Sequence, residues 1–122
     1  MTVRWGFLGA GFVASKGMAP AVHDAQHATL FGVASRDAAR SAQLEPENVY
    51  GSYDELLADP RVQAVYISLA NSQHSEWVES SLHAGKHVLC EKPLGLNAQE
   101  VRSMFATASE CGVMLVEAVW AQ

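Results

Sequence analysis

Cysteine is nearly missing from this chain, with two in 122 residues, Cys90 and Cys111. Two are too few for a disulfide framework. Both sit among apolar neighbours and read as buried free thiols in a reducing compartment. Basic residues are also scarce, eight against 13 acidic ones, for a net charge of −5. That balance gives no electrostatic reason to expect DNA, RNA or an anionic membrane as a partner. No apolar run is long enough to span a bilayer. Residues 5–15 follow one arginine and look superficially like a secretory signal. Their glycine content fits a strand and a turn better, so the expected location is cytoplasmic. The five histidines show no ligand spacing with cysteines or carboxylates, and no metal site is expected. Repeats, low-complexity stretches and linkers are missing as well.

What remains is ordinary for a compact fold. Half the residues are hydrophobic and 17% are charged, which argues against disorder. The length suits one domain with its own core. Apolar strands are expected over 3–9, 28–35, 62–69, 87–90 and 113–119, with a brief one at 49–50. Between them the sequence predicts helices over 12–23, with Pro20 as a kink or early end, and over 37–44, with Asp37 as cap. A capping box, Ser52 with Glu55, starts another that stops near Pro60. Two more follow, over 73–84 with Gly85 as C-terminal cap, and from Asn97 to about 111. Strands alternating with helices at this spacing predict an α/β fold. Its parallel sheet is doubly wound, Rossmann-type, with helices on both faces.

The most informative stretch is Gly9-Ala10-Gly11-Phe12-Val13-Ala14. It fits G-x-G-x-x-A, directly after the first strand and at the start of the first helix. Gly9 lets the chain turn sharply, Gly11 leaves room for a pyrophosphate, and Ala14 lets helix and strand pack closely. Unpaired N–H groups at a helix start favour an anion. The pattern predicts dinucleotide binding.

Three further markers lie at the ends of later strands. Ser35-Arg36-Asp37 follows the second strand, where the ribose 2′ position is read. Arg36 can stack on adenine and pair with a 2′-phosphate while Ser35 adds a hydroxyl, which favours NADP. Alternatively Asp37 faces the ribose and favours NAD, or it only caps the next helix. Glu91-Lys92-Pro93 follows the fifth strand. Lys92 there can stabilise an oxyanion or pass a proton, or it is a solvated surface lysine. Asn71 and His74 lie where the central strand meets its helix. Asn71 is either a cap or a cofactor contact, and His74 is either structural or a ligand.

Together these residues resemble the N-terminal domain of the Gfo/Idh/MocA oxidoreductases over essentially the whole chain. The resemblance rests on WGFLGAGFVA, on SRD, on YGSYDELLADPRVQAVYISLANSQH, on AGKHVLCEKPL and on GVMLVEAVW. It implies that Gly9, Gly11 and Phe12, with Val13 beside them, line the pyrophosphate turn. Ser35 and Arg36 meet the adenosine ribose, and Leu69, Ala70, Asn71 and His74 flank the cofactor. Glu91 lies near the nicotinamide, and Lys92 is the catalytic residue. It further implies hydride transfer between NADP (or NAD) and a hydroxyl or carbonyl carbon of a sugar, cyclitol or diol. The family often has T-P-N before x-x-H, where this chain has Leu69-Ala70-Asn71. Its segment between Arg40 and Tyr50 is short.

Residues 1–122 therefore read as a dinucleotide-binding domain without the substrate domain that relatives carry. The isolated chain is expected to bind cofactor at most. The competing readings are a non-catalytic nucleotide-binding module and a self-associating fragment or homo-oligomer. The apolar end at Trp120-Ala121-Gln122 would drive association in that last case. Lys92 separates the first reading from the second, because a sensor has no use for a lysine beside a nicotinamide.

Overall fold

The computed structural model describes residues 2–118. Its strands are β1 (Val3–Leu8), β2 (Ala28–Ala34), β3 (Asn48–Tyr50), β4 (Ala64–Ile67), β5 (His87–Glu91) and β6 (Leu115–Ala118). They form one parallel sheet in the order β3-β2-β1-β4-β5-β6. Helices α1 (Ala19–Asp24), α2 (Ala38–Gln43), α3 (Tyr53–Ala58), α4 (His74–His83) and α5 (Ala98–Cys111) connect them. This is the expected doubly wound Rossmann sheet. Its strand order reverses between β1 and β4, and open α/β sheets bind ligands at such a switch point.

The helix starts follow from local chemistry. Asp37 accepts from the Ala39 and Arg40 N–H groups, Ser52 from Glu55 N–H, and Asn97 from Glu100 N–H. Each satisfies donors that the first turn leaves unpaired. Gly112 ends α5 in the left-handed region, at φ 69°.

Apolar side chains from alternate strand positions fill both faces. Leu8, Val65, Ile67, Val78, Leu82 and Met104 form the core beneath α3, α4 and α5. Phe7, Ala14, Val22, Leu30, Val33 and Tyr66 form the other, beneath α1 and α2. The Phe7 and Tyr66 rings meet edge to face, centroids 5.0 Å apart. Lys86 closes the far end of the sheet. Its buried ammonium donates to the Asp59 and Val62 carbonyls, both at 2.8 Å.

Several expectations need correction, among them the start of the last strand, which lies at Leu115 and not at 113. The first helix is not uniform: a π-helical turn, Ala14–Met18, precedes α1. Ala19 N–H bonds back to Ala14 O, so the turn widens just before Pro20, which lacks an N–H and would crowd a regular turn. The fourth strand is shorter than 62–69, because Val62 and Gln63 precede its ladder and Ser68 and Leu69 follow it. The fifth strand runs one residue further, through Glu91. Cys90 is buried, but Cys111 is half-exposed, with Sγ 4.0 Å from His83 Nδ1. It lies in the last turn of α5, past the buried positions Met104, Thr107 and Ala108.

Met114 and Val116 are exposed, beside an apolar hollow that Trp5, Ala64 and Leu89 also line. The anticipated apolar end at Trp120-Ala121-Gln122 lies outside the described residues, as does Val119 of the last strand. No described helix is long and apolar enough to cross a membrane.

Candidate functional site

The site is built from four adjacent strand ends. Gly9 leaves β1 with φ +100°, its N–H bonded to Ala34 O at 2.8 Å. A Cβ there would run into the Ser68 carbonyl. The exit of β1 is therefore pressed between the ends of β2 and β4, and only glycine fits. Gly11 differs, because a Cβ there would meet nothing within 4 Å. Its missing side chain leaves open space above the first helical turn, which Ser15 N–H closes by bonding Gly11 O at 2.9 Å. Phe12 and Val13 project outward at 76% and 37% exposure.

An open crevice runs across these ends as two adjoining hollows that share Gly11, Ser68 and Leu69. The first, about 210 Å³, reaches over β2 to Arg36 and Arg40, with Tyr53 and Gln73 on its wall. Asp37 borders it, but its Oδ1 is occupied in capping α2, accepting from Ala39 N at 2.9 Å. Of the three readings of that stretch, the geometry gives Asp37 the cap. The Ser35 hydroxyl is also engaged locally, with Asp37 O at 2.8 Å and Ser41 Oγ at 2.6 Å. The two guanidinium groups are left as the cations of this hollow, suited to a phosphate.

The second hollow, about 280 Å³, reaches over β5. It holds Asn71, His74, Glu91 and Lys92, with Phe12 and Val13 opposite. Asn71 is not a helix cap. A short 3₁₀ turn, Asn71–Gln73, flanked by Ala70, leads into α4, and no side chain caps either start. The His74 ring is fully buried, Nδ1 2.7 Å from Pro93 O and Nε2 3.0 Å from Leu69 O. Both partners are acceptors, so the ring fastens the crevice wall to the loop after β5. On the other side of that loop Leu94 N–H donates to Glu117 Oε2 at 2.7 Å. Lys92 thus stands on a loop tied from α4 and from β6. Glu91 accepts from the Tyr66 hydroxyl. Burial, then that bond, pushes the Tyr66 pKa far up, which keeps the phenol a neutral donor. Burial, with Glu91 and Glu117 nearby, raises the Cys90 thiol to about 12, so it is inert.

All twelve residues singled out in the sequence lie at the strand ends that form this crevice. Ala70 and Ser35 border the first hollow. Sequence reading passed over Arg40, Tyr53, Ser68, Gln73 and Glu117. Arg40 had a signal, standing four residues after Arg36 in a helix that Asp37 caps. Ser68 and Gln73 adjoin Leu69 and His74 in the chain, whereas crossovers bring Tyr53 and Glu117 in from distant segments. In sum the crevice offers cations at one end, a side-chain-free glycine in the middle, and a lysine at the other end. It suits an extended, phosphate-bearing ligand.

Known proteins agree with this geometry. The family described as "Oxidoreductase family, NAD-binding Rossmann fold" matches residues 3–119. Trans-1,2-dihydrobenzene-1,2-diol dehydrogenase of Mus musculus is 41% identical, over 100% of this chain and 38% of its own length. D-xylose 1-dehydrogenase (NADP(+)) 2 of Haloferax volcanii is 42% identical, over 95% of this chain and 37% of its own. The 3-ketoreductase KijD10 of Actinomadura kijaniata, solved with NADP and TDP-benzene, superposes with a TM-score of 0.91. It is 32% identical, over 96% of this chain and 37% of that one. The chain thus spans less than two fifths of the length of these relatives.

Proposed function

This chain belongs to the Gfo/Idh/MocA oxidoreductases as their NAD(P)-binding Rossmann domain, and on that premise we propose that it holds NADP(H) along the crevice. The work is done for a longer oxidoreductase acting on a hydroxyl or carbonyl carbon of a sugar, cyclitol or diol. One observation carries the preference for NADP: Arg36 and Arg40 share the hollow beyond β2, while Asp37 turns its Oδ1 to the first turn of α2 as a helix cap. A 2′-phosphate would find two cations there, against the single Asp37 Oδ2 left for a bare 2′-hydroxyl. KijD10 and the Haloferax xylose dehydrogenase, both associated with NADP by name, support the same choice.

The remaining roles follow the crevice. Gly9, its own N–H bonded to Ala34 O, makes the turn, and Gly11 with the helix start at Phe12 and Val13 leaves backbone donors open to the diphosphate. Ser35 supports the Arg36 loop. Leu69, Ala70 and Asn71 form the wall beyond, and His74 holds that wall to the Lys92 loop. A bound nicotinamide supplies or accepts the hydride. Lys92 is the catalytic residue: its ammonium stands beside the substrate oxygen, stabilises negative charge there and holds the proton that the oxygen gains or loses. Glu91, bonded to Tyr66, flanks it. Substrate-binding groups come from the second domain of the longer protein.

Thermal unfolding with each cofactor tests this reading. At about 100 times its dissociation constant, a ligand adds about 2.7 kcal/mol to the folded state. NADPH should raise the melting temperature more than NADH at equal concentration, and Arg36→Ala should erase the difference. Equal shifts for both cofactors in the wild type would rule out the 2′-phosphate reading. In the longer protein Lys92→Ala should keep the NADPH shift and lose turnover; retained turnover would remove Lys92 from catalysis.

A further inference from the structure

The loop after β5 is fixed at each residue from Pro93 to Leu96. Pro93 O lies 2.7 Å from the His74 Nδ1. Leu94 N–H donates to Glu117 Oε2 at 2.7 Å, and the Leu94 side chain is buried in the core that α4 and α5 cover. Gly95 lies so close to α5 that a Cβ on it would stand 3.1 Å from the Cβ of Glu100. Leu96 N–H donates to Glu100 Oε1 at 2.8 Å. Glu117 is the unexpected partner in this set. It sits on β6, the edge strand, at an exposed position paired with Cys90, where a carboxylate normally stays in water. Here it reaches past the end of β5 to a main-chain donor. A bond from N–H to an ionised carboxylate is stronger than one between neutral groups, and a donor on a residue as buried as Leu94 needs a partner.

We propose that Glu117 is a positioning residue for the reaction: by holding Leu94 N–H it fixes the backbone that carries the Lys92 ammonium. The proposal rests on the reading of Lys92 above. Glu117 lines neither hollow of the crevice, so it takes no part in holding the dinucleotide. Only Pro93 separates Lys92 from the tied N–H, and its ring locks one of the intervening backbone angles. A shift of Leu94 is therefore passed on to Lys92. Gly11 and Arg36 follow other strands and stay in place. Misplacing a reacting group by about 1 Å costs up to about a hundredfold in rate. Loss of the tie thus falls on the chemical step and spares cofactor affinity.

The test compares Glu117→Ala and Glu117→Gln with the wild type in the longer protein, using NADP and a panel of pentoses, hexoses, inositols and vicinal diols, with Lys92→Ala as control. Glu117→Ala should lower kcat about tenfold or more and leave the NADPH dissociation constant within about twofold. Glu117→Gln keeps an acceptor oxygen at the same reach and should restore most of the lost kcat. Hydrogen exchange of the Leu94 amide, read by NMR in the 122-residue chain without ligand, should speed up with alanine and not with glutamine. Wild-type kcat or unchanged Leu94 exchange in Glu117→Ala would overturn the proposal, as would a glutamine variant as slow as the alanine one. So would an alanine variant whose NADPH affinity falls as far as its kcat, which is the pattern of a residue that merely supports the fold. Full turnover in Lys92→Ala, or a wild type that turns over no member of the panel, would instead fail the functional reading on which the proposal stands.

Discussion

A methyl group at Gly9 would strike the Ser68 carbonyl, whereas one at Gly11 would enter open space. The two glycines of one motif therefore answer to different demands, one to the fold and one to the ligand. Gly9→Ala should cost at least about 1 kcal/mol, because both its φ and its neighbour oppose a side chain. Gly11→Ala should leave stability within about 0.5 kcal/mol yet weaken NADPH binding about tenfold or more. Urea unfolding beside a fluorescence titration separates the two, and a destabilised Gly11→Ala would contradict the assignment. The motif and this division were legible in the sequence, but the contact that enforces the demand on Gly9 was not. It depends on Ser68, 59 positions further on, arriving beside Gly9.

Elements were legible where they are punctuated locally. Asp37, Ser52 and Asn97 start their helices as their side chains suggest, and Gly112 ends one. Legibility ended where a neighbour in space sets the boundary. The β4 ladder stops at Ile67 because Ser68 turns into the crevice wall, and the apolar run shows no break there. The junction from β3 through α3 to β4 shows another contact of that kind. Asp59, at the end of α3, accepts from Arg61 Nη2 at 2.8 Å and from the Tyr50 hydroxyl at 2.6 Å. Those bonds, Arg61 first, hold its carboxyl well below the usual carboxylate range. A depressed folded-state pKa adds stability that is complete above the unfolded value, about 4, and is lost as pH falls below it. Asp59→Asn should accordingly flatten the acid limb of the stability profile. Urea midpoints at pH 7 and pH 3 measure this; an unchanged drop between them would exclude Asp59 as a source.

At the scale of the whole molecule, charge and site pull in opposite directions. A net charge of −5 repels an anionic cofactor at long range, while Arg36 and Arg40 attract its phosphate at contact. Added salt screens both, over a Debye length of about 10 Å at 0.1 M. The extra charge of a 2′-phosphate makes NADPH the more sensitive ligand. Its advantage over NADH should shrink between about 50 and 500 mM salt, read as the ratio of dissociation constants. A ratio independent of salt would mean that the arginines act by stacking alone. The order of the strands has a consequence of another kind. Arg36, Gly9, Ser68 and Lys92 follow β2, β1, β4 and β5, four neighbours in the sheet. Neighbouring strands lie about 4.8 Å apart, so the outer two of these ends are about 14 Å apart. The sheet is thus a gauge of ligand length: a molecule gripped at Arg36 must be a full dinucleotide long to touch Lys92, and a mononucleotide held by the same arginine stops short.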